Sequence, residues 1–298
     1  MTIRFDGKVA IVTGAGGGLG RAHALELARR GAKVVVNDLG GALDGSGGSS
    51  AAADKVVAEI KAAGGTAIAN GSSVNDDAGV ANMVKQAVDA FGRIDVLIAN
   101  AGILRDKSFA KMEMADFEAV MAVHVMGTVK PARACWQIMR DQHYGRIVVT
   151  TSSTGLYGNF GQANYGTAKL ALVGLMNTLK IEGARDNIRA NAICPVAATR
   201  MTEALMPPPM LAMLKPDYVT PGVIYLASEE APAGVILTAG AGVFSAAQIV
   251  ETEGVNLGHS ADAEAIAANW DQIADFATAR HYENGMEQTQ KIMTRLQG

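Results

Sequence analysis

Ser152, Tyr165 and Lys169, at relative spacings of thirteen and four, are the residues of this chain best suited to chemistry. Residues four apart on a helix lie on one face, so the Tyr165 phenol and the Lys169 ammonium can share a small molecule. A phenol has a pKa of about 10 and is a poor base at neutral pH. Lowering it by about two to three pH units takes roughly 3 to 4 kcal/mol, which one positive charge about 4 Å away supplies at an effective dielectric near 20. Lys169 is the expected source of that charge. Ser152 would then hold a substrate oxygen while Tyr165 takes its proton. A Tyr-x-x-x-Lys pair also arises by chance on amphipathic helices, so the elements around it carry the argument.

Residues 146–151 (RIVVTT) read as a buried strand that ends at Ser152, and 168–179 as an apolar helix that continues from Tyr165 and Lys169. Near the amino end, the run VAIVT at 9–13 stops at Gly14, Ala15, Gly16, Gly17, Gly18, Leu19 and Gly20, after which a helical pattern closes at Gly31. Glycines let backbone approach a pyrophosphate, whose charge the amides of a helix start favour. The next strand, 33–37 (KVVVN), ends in Asp38, eighteen residues after Gly20, where a carboxylate takes ribose hydroxyls. Asp38 repels a 2'-phosphate, so NAD is expected over NADP, with Arg21 the one nearby cation that would soften the preference. The charge of an oxidised nicotinamide would add to that of Lys169. Residues 40–50 (GGALDGSGGSS) read as a solvated connection rather than a second phosphate cradle.

The alternation continues with helix 51–63, strand 66–69, helix 76–91 and strand 95–99, the pattern of a doubly wound α/β fold with a parallel sheet and helices on both faces. Ser73 and Val74 would flank an adenine or belong to a helix cap. Asn100, Ala101 and Gly102 follow the fourth strand on the edge where such sheets bind ligands. Segment 115–135 reads as one helix that holds His124, a residue more often structural than catalytic. Segment 170–179, interrupted only by Gly174, Asn177 and Thr178, has almost no polar face and predicts a seam in a homodimer or homotetramer. Strands at 189–194 and 235–238 complete seven, and the uncharged stretch between Glu230 and Glu251, broken by Pro232, Gly234, Gly240 and Gly242, reads as buried strand and hairpin rather than a membrane span. Residues 196–221, with Met201, Met206, Met210 and Met213 around three prolines, predict a lid over an apolar substrate or a crossover whose methionines fill the core. The expected organisation is a catalytic domain at 1–255 and a helical extension at 256–298, in which Ile266, Trp270, Ile273 and Phe276 would form one stripe.

Net charge of −3 over 298 residues gives no basic field for nucleic acid. Cys135 and Cys194 are too few and too far apart for a disulfide framework or a zinc site, so a reducing compartment and no metal are expected.

The motifs TGAGGGLG, Asp38, NAG and the Ser152, Tyr165, Lys169 set resemble those of the short-chain dehydrogenase/reductase family, with its Rossmann-type sheet. More narrowly, VNDLGG, GILRD, YGRI, YGNFGQANY, RMTE and NWDQIADF resemble the dehydrogenase part of the type 2 peroxisomal multifunctional β-oxidation enzymes, over nearly the whole chain to about Arg280. The resemblance implies NAD-dependent oxidation of a (3R)-hydroxyacyl-CoA, with Tyr165 as base, Ser152 on the oxygen, Lys169 tuning Tyr165 and binding ribose, and Pro195 and Thr199 at the cofactor. His124 stands where the wider family has an asparagine that supports a relay water. Ala99 and Val196 also depart from the family pattern without removing a catalytic group. The ending RLQG is not a peroxisomal address, and a free-standing cytoplasmic enzyme is expected. The alternatives are a steroid or other secondary-alcohol dehydrogenase, and a nucleotide-sensing scaffold without turnover.

Overall fold

The structure is a computed structural model that describes residues 2–42, 44–198 and 208–297. Each short β-branched run forms a strand because its side chains can be buried on both faces of a parallel sheet. The strands are β1 Val9–Thr13, β2 Lys33–Asn37, β3 Thr66–Asn70, β4 Val96–Ala99, β5 Gly145–Thr150, β6 Ile188–Pro195, β7 Ile236–Gly240 and β8 Val243–Ala247. They form one sheet in the order β3-β2-β1-β4-β5-β6-β7-β8. The first seven are parallel, and the registers Thr13 with Asn37 and Asn37 with Asn70 bring their carboxyl ends level. The order reverses between β1 and β4, which opens a crevice at that edge.

Eight strands stand where seven were expected. The extra one, β8, follows β7 through Ala241 and Gly242 at φ of +49° and +81°, the left-handed pair that a two-residue hairpin needs. It is an exposed strand with Val243 and Phe244 toward solvent, so only the β7 half of the expected buried hairpin is buried.

The helices of this part of the chain are α1 Gly18–Arg29, α2 Ala51–Ala62, α3 Asp77–Phe91, α4 Met114–Met121, α5 Gly127–Asp141, α6 Ser153–Tyr157, α7 Ala163–Gly183, α8 Pro208–Met213 and α9 Thr220–Leu226. Alternate residues of the central strands, Ala10, Val12, Val34, Val36, Val96 and Ile98, are buried in one cluster with Leu27, Val56 and Ile60 of the helices. Each such Val, Leu or Ile side chain contributes roughly 1.5 to 3 kcal/mol. Segment 115–135 is helical throughout, and a π turn, Ala122–Met126, joins α4 to α5 and carries His124. Helix α7 does have an outer face: Leu170 and Ile181 are 46% and 53% exposed, so the near absence of polar residues does not bury the helix within this chain.

The chain divides into two compact units, Met1–Ala246 and Ala247–Gly298. The second begins before residue 256 because Glu251 pairs with Arg280 in an isolated antiparallel bridge and Lys291 forms an ion pair with Glu251. It contains α10 Ala263–Ala268, α11 Trp270–Ile273 and α12 Gly285–Gln297. The expected single stripe there is broken, since Asn269 leaves helical geometry at φ −109° and ψ 13° between Ile266 and Trp270. Among the described residues no helix is long and apolar enough to cross a membrane, and no group of three metal-ligating side chains forms. Cys135 and Cys194 are free and buried.

Candidate active site

A cavity of about 530 Å³ lies at the carboxyl edge of the sheet, within the first unit. The turn from β1 to α1 forms one wall. Gly14 sits at φ +62°, and a Cβ there would lie 2.7 Å from Ala101 Cα; a Cβ on Gly20 would lie 2.3 Å from the Gly14 carbonyl oxygen. Only glycine permits this closeness. Asn100 Nδ2 donates to the Thr13 and Gly14 carbonyls, each at 3.1 Å, so Asn100 braces the turn from β4. Gly14, Gly18 and Leu19 line the cavity, while Gly16 and Gly20 stand behind that wall. Gly17 precedes α1 and has no side chain to cap its first amides, which leaves them for an anion.

Asp38 follows β2 on the same wall. Its Oδ2 accepts from the Gly16 amide and its Oδ1 from the Gly40 amide, both at 2.7 Å. Each oxygen keeps a lone pair for a ribose hydroxyl. Arg21 is engaged by Glu59 through Nε and Nη2, which removes it as a ready partner for a 2'-phosphate. These features fit a dinucleotide: a wall without side chains, free helix-start amides and a hydroxyl-accepting carboxylate. Val74 and Ser73 line the cavity, while the cap of α3 is made by Asp76, which accepts from Gly79. Residues 40–42 and 44–50 form the expected, largely exposed connection, and part of it also borders the cavity. Gly41, Ala42 and Gly45 line the cavity, held over it by the Arg105 Nε bond to the Asp44 carbonyl at 3.0 Å.

Ser152, Tyr165 and Lys169 line this same cavity. Ser152 leaves β5 and caps the single turn α6, accepting from the Thr154 amide at 3.2 Å. Burial pushes the Tyr165 phenol up to about 12, against a lowering by the Ser152 side chain, and the Asp106 and Cys194 side chains add to the rise. The expected lowering by Lys169 is absent. Lys169 is 3% exposed, its Nζ donates to the Thr150 carbonyl at 2.6 Å, and it stands 5.5 Å from the Tyr165 ring centre. Burial brings Lys169 itself down to about 7, so part of it is neutral near neutral pH and the field that was to acidify Tyr165 is weakened.

His124 is buried against Gly102, where a Cβ would lie 2.3 Å from its Cε1. Its Nε2 is 2.8 Å from the Ile103 carbonyl and 3.1 Å from the Ile103 amide, and its ring meets that of Tyr165 edge to face at 5.3 Å. Burial holds it neutral, with a pKa of about 3. His124 Nδ1 and Thr150 Oγ1 are buried polar atoms without partners among the described residues, both on residues of the cavity wall. Unpaired atoms of this kind are costly unless a bound molecule satisfies them.

Ala101, Gly102 and Pro195 line the cavity as expected; Thr199 and the lid residues Met201 and Met206 lie outside the described residues. Val196 and Ala197, at the start of the expected lid, line it too. Gln162 and Asn159 also face the cavity and were missed, although Gln162 precedes Tyr165 by one helical turn.

The sequence profile described as short chain dehydrogenase matches residues 8–208. The chain is 51% identical over 98% of its length to peroxisomal multifunctional enzyme A of Dictyostelium discoideum and covers 66% of that protein, so it spans just under two thirds of this relative. The full-length peroxisomal multifunctional enzyme type 2 of Drosophila melanogaster superposes with a TM-score of 0.84 at 38% identity, over 99% of this chain and 50% of that one. A 7α-hydroxysteroid dehydrogenase solved with NADH and 7-oxo glycochenodeoxycholic acid gives 0.72 at 30% identity, over 80% of this chain and 95% of that one. With its glycine turn, its Ser152, Tyr165 and Lys169 wall and these relatives, the chain belongs to the short-chain dehydrogenase family.

Proposed function

We propose that this protein oxidises a (3R)-hydroxyacyl-CoA to the 3-ketoacyl-CoA with NAD. The observation that carries the reading is that Ser152, Tyr165 and Lys169 share one cavity with the glycine wall and Asp38. When bound, NAD supplies the hydride acceptor and, in its oxidised form, a positive charge. The residues of the chain do the rest. Gly14, Gly18 and Leu19 present backbone to the pyrophosphate, and Asp38 accepts the ribose hydroxyls. Ser152 holds the substrate hydroxyl oxygen, and Tyr165 takes its proton. A phenol at about 12 is a reluctant base, so proton removal depends on a positive charge beyond that of Lys169. Lys169, held at the Thr150 carbonyl, orients the ribose and places its charge beside Tyr165. His124 packs against Tyr165 and fixes its ring.

The test follows NADH formation with a (3R)-hydroxyacyl-CoA, a 17β-hydroxysteroid and a simple secondary alcohol. Preference for the thioester supports the reading. Preference for the steroid favours the second reading, a steroid dehydrogenase, which the likeness to the bile-acid enzyme supports. Turnover of none, with NAD still bound, points to a nucleotide sensor. Tyr165→Phe should lower kcat by about a hundredfold or more while NAD affinity stays within a few fold; full activity in that variant removes Tyr165 as the base.

The outer face of α7, where Leu170, Gly174 and Ile181 follow one another at helical spacing, is the proposed seam of a homodimer or homotetramer.

A further inference from the structure

Gln162 forms the start of α7 and is 8% exposed. Its Oε1 accepts from Thr154 Oγ1 at 2.8 Å and from Asn159 Nδ2 at 3.1 Å, and its Nε2 donates to Asp106 Oδ2 at 2.7 Å. A side-chain amide has two acceptor lone pairs and two donor hydrogens. Both lone pairs of Gln162 are used and one hydrogen is used, so a molecule in the cavity can meet only the second hydrogen. Asp106 decides this orientation. A carboxylate accepts and does not donate, so the amide must turn its nitrogen, not its oxygen, toward Asp106.

The cavity wall thus offers one fixed donor, one helical turn before Tyr165 and linked through Thr154 to Ser152. In a 3-hydroxyacyl thioester the nearest acceptor to the reacting carbon is the thioester carbonyl, one methylene away. A plain alcohol has nothing there, and neither does a ring hydroxyl on a sterol. We infer that Gln162 is a specificity residue that donates to the thioester carbonyl of the substrate, and that Asp106 is the positioning residue that keeps the donor end of its amide in place. The inference rests on the hydroxyacyl-CoA reading.

The experiment compares (3R)-hydroxybutyryl-CoA with its thioether analogue, in which the carbonyl is a methylene, on the full chain with NAD. Intrinsic reactivity cancels when the thioester-to-thioether ratio of kcat/KM is compared between variant and wild type. Gln162→Met should lower that ratio about tenfold, the value of one lost hydrogen bond, and KM for the thioester should carry the change. Asp106→Asn, at a solvent-facing position that leaves the core intact, should lower it in the same sense by a smaller factor, because an asparagine lets the Gln162 amide turn. If Gln162→Met lowers both substrates alike, Gln162 is only a wall and the inference is overturned. An Asp106→Asn ratio equal to that of wild type overturns the positioning role. If the wild type oxidises a steroid and neither acyl compound, the hydroxyacyl-CoA reading fails and takes this inference with it, an outcome distinct from the other two.

Discussion

Tyr165 and Lys169 show how burial competes with charge at the scale of single residues. The phenol goes up to about 12 and the amine down to about 7, because each loses solvent around its charged form. Two buried histidines, His23 beneath α9 and His124 beside Tyr165, record chiefly the desolvation. His23 bonds Thr220 through Nδ1 at 2.9 Å and His124 bonds Ile103, and burial lowers both to about 3. The unfolded chain binds these protons near pH 6.5, whereas the folded chain does not until about pH 3. Their contribution to stability is therefore complete above about pH 6.5 and is lost as pH falls from there toward about 3. At about pH 5 the loss is roughly 2 kcal/mol for each histidine. Urea unfolding at about pH 7 and about pH 5 should show the drop, and His23→Asn should remove about half of it. An identical drop in that variant would assign the acid sensitivity to other groups.

At the scale of elements, the unit that matters is β1, its glycine turn and α1, braced by Asn100 from β4. The turn has no spare volume behind it: a methyl group at residue 20 meets the carbonyl of Gly14. Gly20→Ala should therefore push the turn outward, weaken NAD binding about tenfold or more by calorimetry and lower stability by about 1 to 3 kcal/mol. Unchanged affinity would mean that the pyrophosphate does not sit at this turn. Arg146 marks the opposite, amino edge of the sheet. Its guanidinium is buried and donates to the carbonyls of Ser228, Gly145, Asn187 and Glu229 and to Asn187 Oδ1, which joins β5 to the chain before β7. In the sequence it is only the first residue of an apolar strand, and its acceptors lie up to 83 residues away.

For the whole molecule, α7 carries two exposed large apolar side chains, Leu170 and Ile181, with the uncharged Gly174 and Thr178 exposed between them, and this outer face is the proposed seam. Leu170→Glu, together with Ile181→Glu, should shift the mass in sedimentation toward that of one chain, with cofactor binding retained. An unchanged assembly would place the seam on another face, such as the exposed strand β8 with Val243 and Phe244.

Local sequence determined the alternation of strands and helices, the glycine turn, the carboxylate after β2 and the Ser152, Tyr165, Lys169 spacing, since each is fixed by contacts within one strand, turn or helix. Strand limits read from β-branched runs fall close to those observed, and β2 coincides with its expected span. Tertiary structure alone decided the protonation of Tyr165 and Lys169, because desolvation depends on everything packed around a group and not on its neighbours in the chain. It also decided the π turn that turns His124 toward Tyr165, the approach of Gly41, Ala42 and Gly45 to the cavity and the amide orientation of Gln162, each set by partners such as Ile103, Arg105 and Asp106 that other loops deliver to the same edge.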